Sequence, residues 1–128
     1  MLKAMSKSKK KILIVEDQKI IALDLKKMLV DRGYCITGIY DKGEDAVIAV
    51  PAQQPDLILM DIMLKGKLNG IETAESIIEK YKVPIIYLTA LTDVDTYFKA
   101  LTTDPKKYIM KPFEMESLER AIEEVLRM

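Results

Sequence analysis

The sequence predicts an α/β domain in which a parallel sheet is covered by helices on both faces. Short apolar runs alternate with amphipathic stretches from residue 10 onward. The apolar runs are continuous, which is typical of strands buried on both faces of a parallel sheet. A chain of 128 residues suffices for one domain with one core. We therefore expect a single βα array over residues 10–128, preceded by a flexible tail at residues 1–9.

The first predicted strand, residues 10–15, leads into a helix that ends before Gly33. The apolar positions assigned to the buried face of this helix are Ile20, Leu23, Leu25, Met28 and Leu29. The second strand covers about residues 34–39. It contains the single cysteine, Cys35, which we interpret as a small buried hydrophobic residue.

The second helix begins near Gly43 and carries Ala46, Val47 and Val50. We expect it to be short or irregular, because Pro51 ends or kinks it early. The third strand covers residues 56–60, and a flexible loop over residues 65–70 leads into the third helix. The apolar positions of the third helix are Ile71, Ala74, Ile77 and Ile78.

The fourth predicted strand covers residues 84–88. Thr92, with Asp95 three residues later, resembles a capping signal for the fourth helix. The fifth strand covers residues 107–110 and precedes the last helix. One face of that helix carries Leu118, Ala121, Ile122 and Val125.

Acidic side chains follow two of the predicted strands at the point where each strand ends. Glu16 and Asp17 come directly after the first strand, and Asp61 comes directly after the third. The carboxyl ends of neighbouring parallel strands meet at one crevice, where open α/β sheets bind ligands. Two like charges ~4 Å apart cost about 1 kcal/mol in water and about 4 kcal/mol at an effective dielectric constant near 20. A divalent metal ion is the simplest way to hold three carboxylates together.

Composition narrows the possible chemistry. The chain has no histidine, which excludes zinc sites that use histidine and catalysis by Ser-His or Cys-His pairs. Any metal would therefore be bound by oxygen ligands, which Mg²⁺, Mn²⁺ and Ca²⁺ prefer. The 20 basic and 20 acidic residues balance, so no overall positive field favours nucleic acid or an anionic membrane. No apolar run is long enough to span a bilayer and no signal-peptide pattern opens the chain, so we expect a cytoplasmic protein.

Six residues at the ends of four predicted strands form a recognisable set. Glu16 and Asp17 follow the first strand, Asp61 the third, Thr89 the fourth, and Lys111 and Pro112 the fifth. Together they resemble the receiver domain of two-component response regulators, over nearly the whole chain beyond residue 9. The resemblance implies a doubly wound, flavodoxin-like (βα)5 fold with five parallel strands in the order 2-1-3-4-5.

The resemblance also implies the roles of the acidic residues. Asp61 would be the phospho-acceptor, whose carboxylate attacks a phosphoryl group and becomes an aspartyl phosphate. Glu16 and Asp17 would hold Mg²⁺ or Mn²⁺, directly or through water. Asp61 and the backbone carbonyl of Met63 would complete the ligands of family type.

Further roles follow from the same resemblance. Lys111 would place a second cation against the phosphoryl oxygens, and the Thr89 hydroxyl would donate a hydrogen bond to one of them. The peptide bond before Pro112 is usually cis in the family, which aims the lysine. Tyr108 matches the switch aromatic: it would turn inward when Thr89 moves, and so reshape the face formed by the fourth helix, fifth strand and fifth helix.

The sequence departs from the common family pattern after Asp61. The loop contains no proline, and the glycine that the family often has eight residues after the acceptor comes one residue later here, at Gly70. The positions two past the acceptor and two past the threonine, Met63 and Leu91, are both apolar. Neither can orient a hydrolytic water, so we expect a long-lived phosphoryl state.

Taken singly, each site residue also has a purely structural interpretation. The acidic pair could stabilise the start of the first helix, Asp61 could be a turn residue, and Lys111 could be a surface lysine. Thr89 could be a strand-end or capping residue, and Tyr108 could be a half-buried strand aromatic.

The residues that follow the first and third strands speak against two rival functions. A Mg²⁺-dependent phosphatase or phosphotransferase would also use an Asp nucleophile, but enzymes of that class typically show Asp-x-Asp where this chain has Asp61-Ile62-Met63. An FMN or nucleotide binder would need phosphate-cradling donors after the first strand, where acidic residues stand.

The expected partners are a sensor histidine kinase or phosphotransfer protein as the donor, and a downstream protein target. A small acyl phosphate could also serve as donor. Because the last predicted helix reaches the end of the sequence, the residues leave open a stand-alone receiver or a piece of a larger regulator or hybrid kinase.

Overall fold

The computed structural model describes residues 9–90 and 93–127. The predicted tail therefore lies outside this range except for Lys9, which is exposed. The strands are β1 (Lys11–Val15), β2 (Cys35–Tyr40), β3 (Leu57–Met60), β4 (Ile85–Thr89) and β5 (Lys107–Met110). The helices are α1 (Lys19–Asp31), α2 (Gly43–Gln53), α3 (Gly70–Ile78), α4 (Val94–Leu101) and α5 (Met115–Arg127).

The five strands form one parallel sheet in the order β2-β1-β3-β4-β5. This confirms the predicted fold class and strand order. Every residue of β3 and β4 is buried, as their continuous apolar sequences predict for central strands.

Alternate residues of the central strands build two separate cores, one on each face of the sheet. On one face, strand residues such as Ile14 and Leu59 pack with buried side chains of α1 and α5. On the other face, Val15 and Ile58 pack with buried side chains of α2, α3 and α4. Side chains in a strand point alternately to opposite faces, so each central strand contributes side chains to both cores. Within the described ranges, no helix is long and apolar enough to cross a membrane.

The predicted buried face of α1 is partly wrong. Leu25 and Leu29 are buried and Ala22 joins them, but Ile20 and Leu23 are 83% and 52% exposed. Successive helical residues are rotated by about 100°. Leu23 therefore lies about 200° around the helix from Leu25 and cannot share its face.

The interpretation of Cys35 as a buried residue is also wrong. Its side chain is exposed, because β2 is an edge strand and Cys35 is its first residue. A position at the start of an edge strand has fewer neighbours to cover it than one in a central strand.

Two helix predictions need correction or adjustment. Helix α2 is neither short nor stopped by Pro51, since it runs to Gln53 with this proline inside its last turn. Pro51 is exposed, and the Gln54 amide donates a hydrogen bond to the Val50 carbonyl at the end of the helix. In α4 the capping residue is Asp93, whose side chain accepts a hydrogen bond from the Thr96 amide at 2.7 Å; Thr92 lies outside the described residues.

Candidate functional site

Backbone hydrogen bonds of the sheet fix where the strand-end residues lie. The Asp61 amide donates to the Val15 carbonyl at 3.0 Å, which places the end of β3 beside the end of β1. The Lys111 amide donates to the Thr89 carbonyl at 2.8 Å, which joins the ends of β4 and β5 in the same way. The predicted site residues are therefore collected at one edge of the sheet, as the parallel topology requires.

Three carboxylates converge at this edge. Oxygen atoms of Glu16, Asp17 and Asp61 all lie within 4.8 Å of one another. Glu16 and Asp61 are only 3% and 6% exposed, while Asp17 is partly exposed. Negative side chains that lie this close together and this far from water repel one another strongly unless a cation joins them.

Lys111 provides part of that positive charge. Its Nζ lies 2.6 Å from Glu16 Oε1 and 3.3 Å from Asp61 Oδ2. Burial alone would lower the pKa of this ammonium group, but the hydrogen bond to Glu16 and the charge of Asp61 raise the pKa of Lys111 above its usual value. Burial raises the pKa of the Glu16 carboxyl, and the nearby charge of Asp61 adds to that increase. Lys111 contacts two of the three carboxylates, so the cluster keeps an excess of negative charge that suits a divalent cation.

Backbone amides orient two of the carboxylates. The Met63 amide donates to Asp61 Oδ1 at 3.1 Å, while Asp61 Oδ2 faces Lys111. The Gln18 amide donates to Glu16 Oε2 at 3.1 Å. Each carboxylate is thus held at one oxygen by the backbone and at the other by the lysine, which fixes its rotamer before any ligand binds.

Thr89 brings a buried hydroxyl to the end of β4. The residue has no exposed surface, and within residues 9–90 and 93–127 its Oγ1 has no hydrogen-bond partner. A buried hydroxyl without a partner costs stability, and this is commonly found at functional sites. The hydroxyl group is therefore available to an incoming acceptor atom.

Tyr108 lies on β5 against two other tyrosines. Its ring centroid is 4.9 Å from that of Tyr97 on α4, in an edge-on arrangement, and 6.1 Å from that of Tyr87 on β4. Tyr108 is half-buried, on the same face of the sheet as α4. The predicted switch residue therefore contacts the helix whose surface it is expected to reshape.

The loop after β3 carries Met63 and is closed tightly onto the site. Gly70, the first residue of α3, donates its amide to the Ile62 carbonyl at 2.8 Å. A Cβ atom at Gly70 would lie 2.1 Å from the Asp61 carbonyl oxygen, so only glycine allows α3 to start this close to Asp61. The side chain of Met63 is 62% exposed, and its predicted counterpart Leu91 lies outside the described residues.

The residues present fit a hard divalent cation. The cluster offers carboxylate oxygens from three residues and no nitrogen or sulfur ligand, which is the chemistry that Mg²⁺ and Mn²⁺ accept.

The peptide bond between Lys111 and Pro112 is cis.

Sequence reasoning missed two contacts near the site. Tyr97 contacts Tyr108, and Glu44 on α2 contacts the loop after Asp61. Both contacts join elements that are distant in the chain or meet only by packing. Periodicity along one element carries no signal for either.

Comparison with known proteins agrees with this geometry. Residues 12–123 match the family described as response regulator receiver domain. Among curated proteins, the transcriptional regulatory protein PdtaR of Mycobacterium tuberculosis is 36% identical over 114 residues, covering 89% of this chain and 55% of that protein. The chain thus spans about half the length of the curated relatives it matches.

Solved structures show the same fold. The signal receiver domain of a modulated diguanylate cyclase from Desulfovibrio desulfuricans G20 has a TM-score of 0.89 and 38% identity, covering 94% of this chain and 95% of that chain. The N-terminal domain of a response regulator/sensory box/GGDEF 3-domain protein from Carboxydothermus hydrogenoformans has a TM-score of 0.84 and 38% identity, covering 92% and 94%. The BeF3-activated receiver domain of Klebsiella pneumoniae RstA has a TM-score of 0.85 and 26% identity, covering 92% and 99%.

Proposed function

The chain belongs to the response regulator receiver domain family, and we propose that Asp61 is its phospho-acceptor and that phosphorylation switches a protein-binding face. The observation that carries this proposal is the convergence of Asp61 with Glu16, Asp17 and Lys111 at one edge of the sheet. The Thr89 hydroxyl, which has no partner among the described residues, supports it, since this leaves one hydrogen-bond donor for a phosphoryl oxygen.

The donor is the phosphohistidine of a sensor histidine kinase or phosphotransfer protein. These 128 residues contain no histidine, so the phosphohistidine lies outside them. A carboxylate oxygen of Asp61 attacks phosphorus, the P–N bond to the donor imidazole breaks, and its electron pair leaves with the imidazole. The product is an aspartyl phosphate on Asp61. The proposed exchange takes place in the cytoplasm.

The residues around Asp61 would offset the negative charge of the incoming phosphoryl group. Glu16, Asp17, Asp61 and the backbone carbonyl of Met63 would hold Mg²⁺ or Mn²⁺, which when bound supplies positive charge against the phosphoryl oxygens. Lys111 exchanges part of its contact with Asp61 for a contact with a phosphoryl oxygen. Thr89 donates its hydroxyl hydrogen to another phosphoryl oxygen.

Phosphorylation then changes the packing of side chains around β4, β5 and α4. Movement of Thr89 toward the phosphoryl group vacates space beside β4, and Tyr108 turns into it, which changes its contact with Tyr97 on α4. The face next to this contact is rich in exposed large apolar side chains: Val94, Tyr97, Phe98, Leu101 and Met110. A downstream protein that reads this face would distinguish the two states.

Replacing the acceptor tests the proposal directly. Asp61→Asn should abolish labelling by acetyl phosphate in the presence of Mg²⁺, because the amide is a poor nucleophile. Intact-mass spectrometry measures the fraction of chains that carry one phosphoryl group. Asp45→Asn, an exposed acid on α2, is the control and should label like the wild type.

Two results would contradict the proposal. Unchanged labelling of Asp61→Asn would show that another residue is the acceptor. Release of many phosphate ions per chain, without a retained phosphoryl group, would indicate a phosphatase instead of a switch.

A further inference from the structure

The segment between Asp61 and α3, residues 62–69, is here called the acceptor loop. It is tied down at its start, where the Met63 amide contacts Asp61 Oδ1 at 3.1 Å. It is tied down at its end by a reciprocal capping box, in which Asn69 and Glu72 bind each other's backbone amides at 2.9 Å. The middle of the loop, residues 65–67, is exposed and makes neither of these bonds.

Glu44 supplies a contact to that middle. It lies in the first turn of α2, and its Oε2 accepts a hydrogen bond from the Lys67 amide at 3.4 Å, across 23 residues of chain. Gly66 makes room for this approach. A Cβ atom there would lie 3.2 Å from Glu44 Oε2, and the residue has φ of +103°, which side-chain-bearing residues rarely adopt.

The charge of Glu44 suits this position. Its own amide at the start of α2 and the amides of Lys67 and Leu68 hold the pKa of the Glu44 carboxyl below its usual range. A carboxylate is also favoured at the N-terminus of a helix. Glu44 is therefore ionised at neutral pH, so a negative oxygen faces the Lys67 amide at 3.4 Å.

We propose that Glu44 is a positioning residue for the acceptor loop, fixing residues 66–68 so that the Met63 carbonyl is held ready for the bound cation. Glu44 touches neither the cation nor the phosphoryl group. This inference rests on the proposed function, because it assigns the loop a role in the metal site of the acceptor. Contacts behind the ligands of a metal orient those ligands and tune the affinity.

Mn²⁺ binding by the unphosphorylated protein tests the role, with the electron paramagnetic resonance signal of the free ion as the readout. Removal of contacts behind metal ligands typically weakens affinity by about 10- to 100-fold. Because Glu44 contacts the loop and not a ligand side chain, we expect the lower end, about 10-fold, for Glu44→Ala. Glu44→Gln keeps the shape and one acceptor oxygen, so its loss should be smaller.

Asp45→Asn is the matched control. Asp45 lies on the same turn of α2, carries the same charge and is exposed, and it has no hydrogen bond to the acceptor loop among the described residues. It should leave Mn²⁺ affinity unchanged. In the absence of metal, the Lys67 amide should exchange with solvent faster in Glu44→Ala than in Asp45→Asn, while the midpoint of thermal unfolding stays similar in the two.

The outcomes are distinguishable. Equal Mn²⁺ affinity in Glu44→Ala and Asp45→Asn, whether both are normal or both weakened, would overturn the positioning role. A wild-type protein that fails to bind Mn²⁺ would instead overturn the proposed function on which this role depends. Weaker binding confined to the Glu44 variants, with faster exchange at Lys67, supports the proposal.

Discussion

At the scale of single residues, two buried threonines show how the site differs from the core. Thr73 and Thr89 are both fully buried. The Thr73 hydroxyl donates to the Asn69 carbonyl at 2.7 Å, whereas the Thr89 hydroxyl has no partner in the described part of the chain. A buried polar group without a partner costs about 1–3 kcal/mol. Thr89 thus lowers the stability of the unphosphorylated protein in favour of the proposed phosphoryl contact.

Valine at these two positions should act in opposite directions. Thr89→Val should raise the free energy of unfolding by about 1 kcal/mol, because it removes a buried hydroxyl that has no partner within the described ranges. Thr73→Val should lower it by about 1 kcal/mol, because it breaks a buried hydrogen bond. Urea denaturation measures both changes. Thr89→Val should also reduce the amide chemical-shift changes that beryllofluoride, a phosphoryl mimic, causes in α4 and β5.

The threonine prediction has a clear contrary result. If Thr89→Val destabilises the protein as much as Thr73→Val does, then the Thr89 hydroxyl is satisfied in solution. Its role as a donor kept for a phosphoryl oxygen would then lose its support.

At the scale of elements, a buried hydrogen-bond chain joins β4 to the end of α4. The Tyr87 hydroxyl lies 2.7 Å from Thr103 Oγ1, and Thr103 in turn donates to the Ala100 carbonyl at 2.6 Å. Tyr87 is completely buried, and its ring packs against that of Tyr108. The C-terminal end of α4 is thus anchored to the sheet, whereas the face of its first turns is exposed.

Burial of Tyr87 predicts a loss of stability at high pH. Burial raises the pKa of Tyr87 from 10.0 to about 12. Between these values the unfolded chain releases the proton while the folded protein keeps it, so stability falls as pH rises through this window. A difference of two pKa units corresponds to about 3 kcal/mol.

Tyr87→Phe isolates this contribution. The free energy of unfolding, measured by urea denaturation from about pH 9 to pH 12, should fall less steeply in Tyr87→Phe than in the wild type. Tyr97→Phe, at a position that is 39% exposed, is the control and should follow the wild type. Parallel curves for Tyr87→Phe and the wild type would show that the buried tyrosine does not titrate as expected.

At the scale of the whole molecule, the site depends on the complete sheet. Glu16, Asp61 and Lys111 come from the ends of three different strands, and they meet only when β1, β3 and β5 lie in their final order. In the unfolded chain these residues are far apart, so a cation has no assembled site there. Metal binding should therefore be coupled to global folding.

Saturating Mg²⁺ should stabilise the folded protein. A ligand that binds only the folded state adds about 2.7 kcal/mol at a concentration of 100 times its dissociation constant. The increase should be smaller in Asp17→Asn, which removes one carboxylate of the cluster. Urea denaturation with increasing Mg²⁺ at constant ionic strength measures this effect. Equal stabilisation by Na⁺ alone would indicate charge screening without a specific site.

The sequence by itself determined the fold class, the strand order through family resemblance, and the edge at which the site residues gather. Continuous apolar runs identify central strands, and residues that directly follow parallel strands, such as Asp61 and Lys111, must lie at the same edge of the sheet. This inference needs only the order of elements, which local patterns encode.

Only the tertiary structure decided the contacts between elements. It paired Lys111 more closely with Glu16, at 2.6 Å, than with Asp61, at 3.3 Å. It left Thr89 Oγ1 without a partner among the described residues, exposed Cys35 at the sheet edge, and brought Glu44 to the acceptor loop. The physical reason is that hydrophobic periodicity records which face of an element is buried, whereas these contacts depend on how neighbouring elements pack against one another.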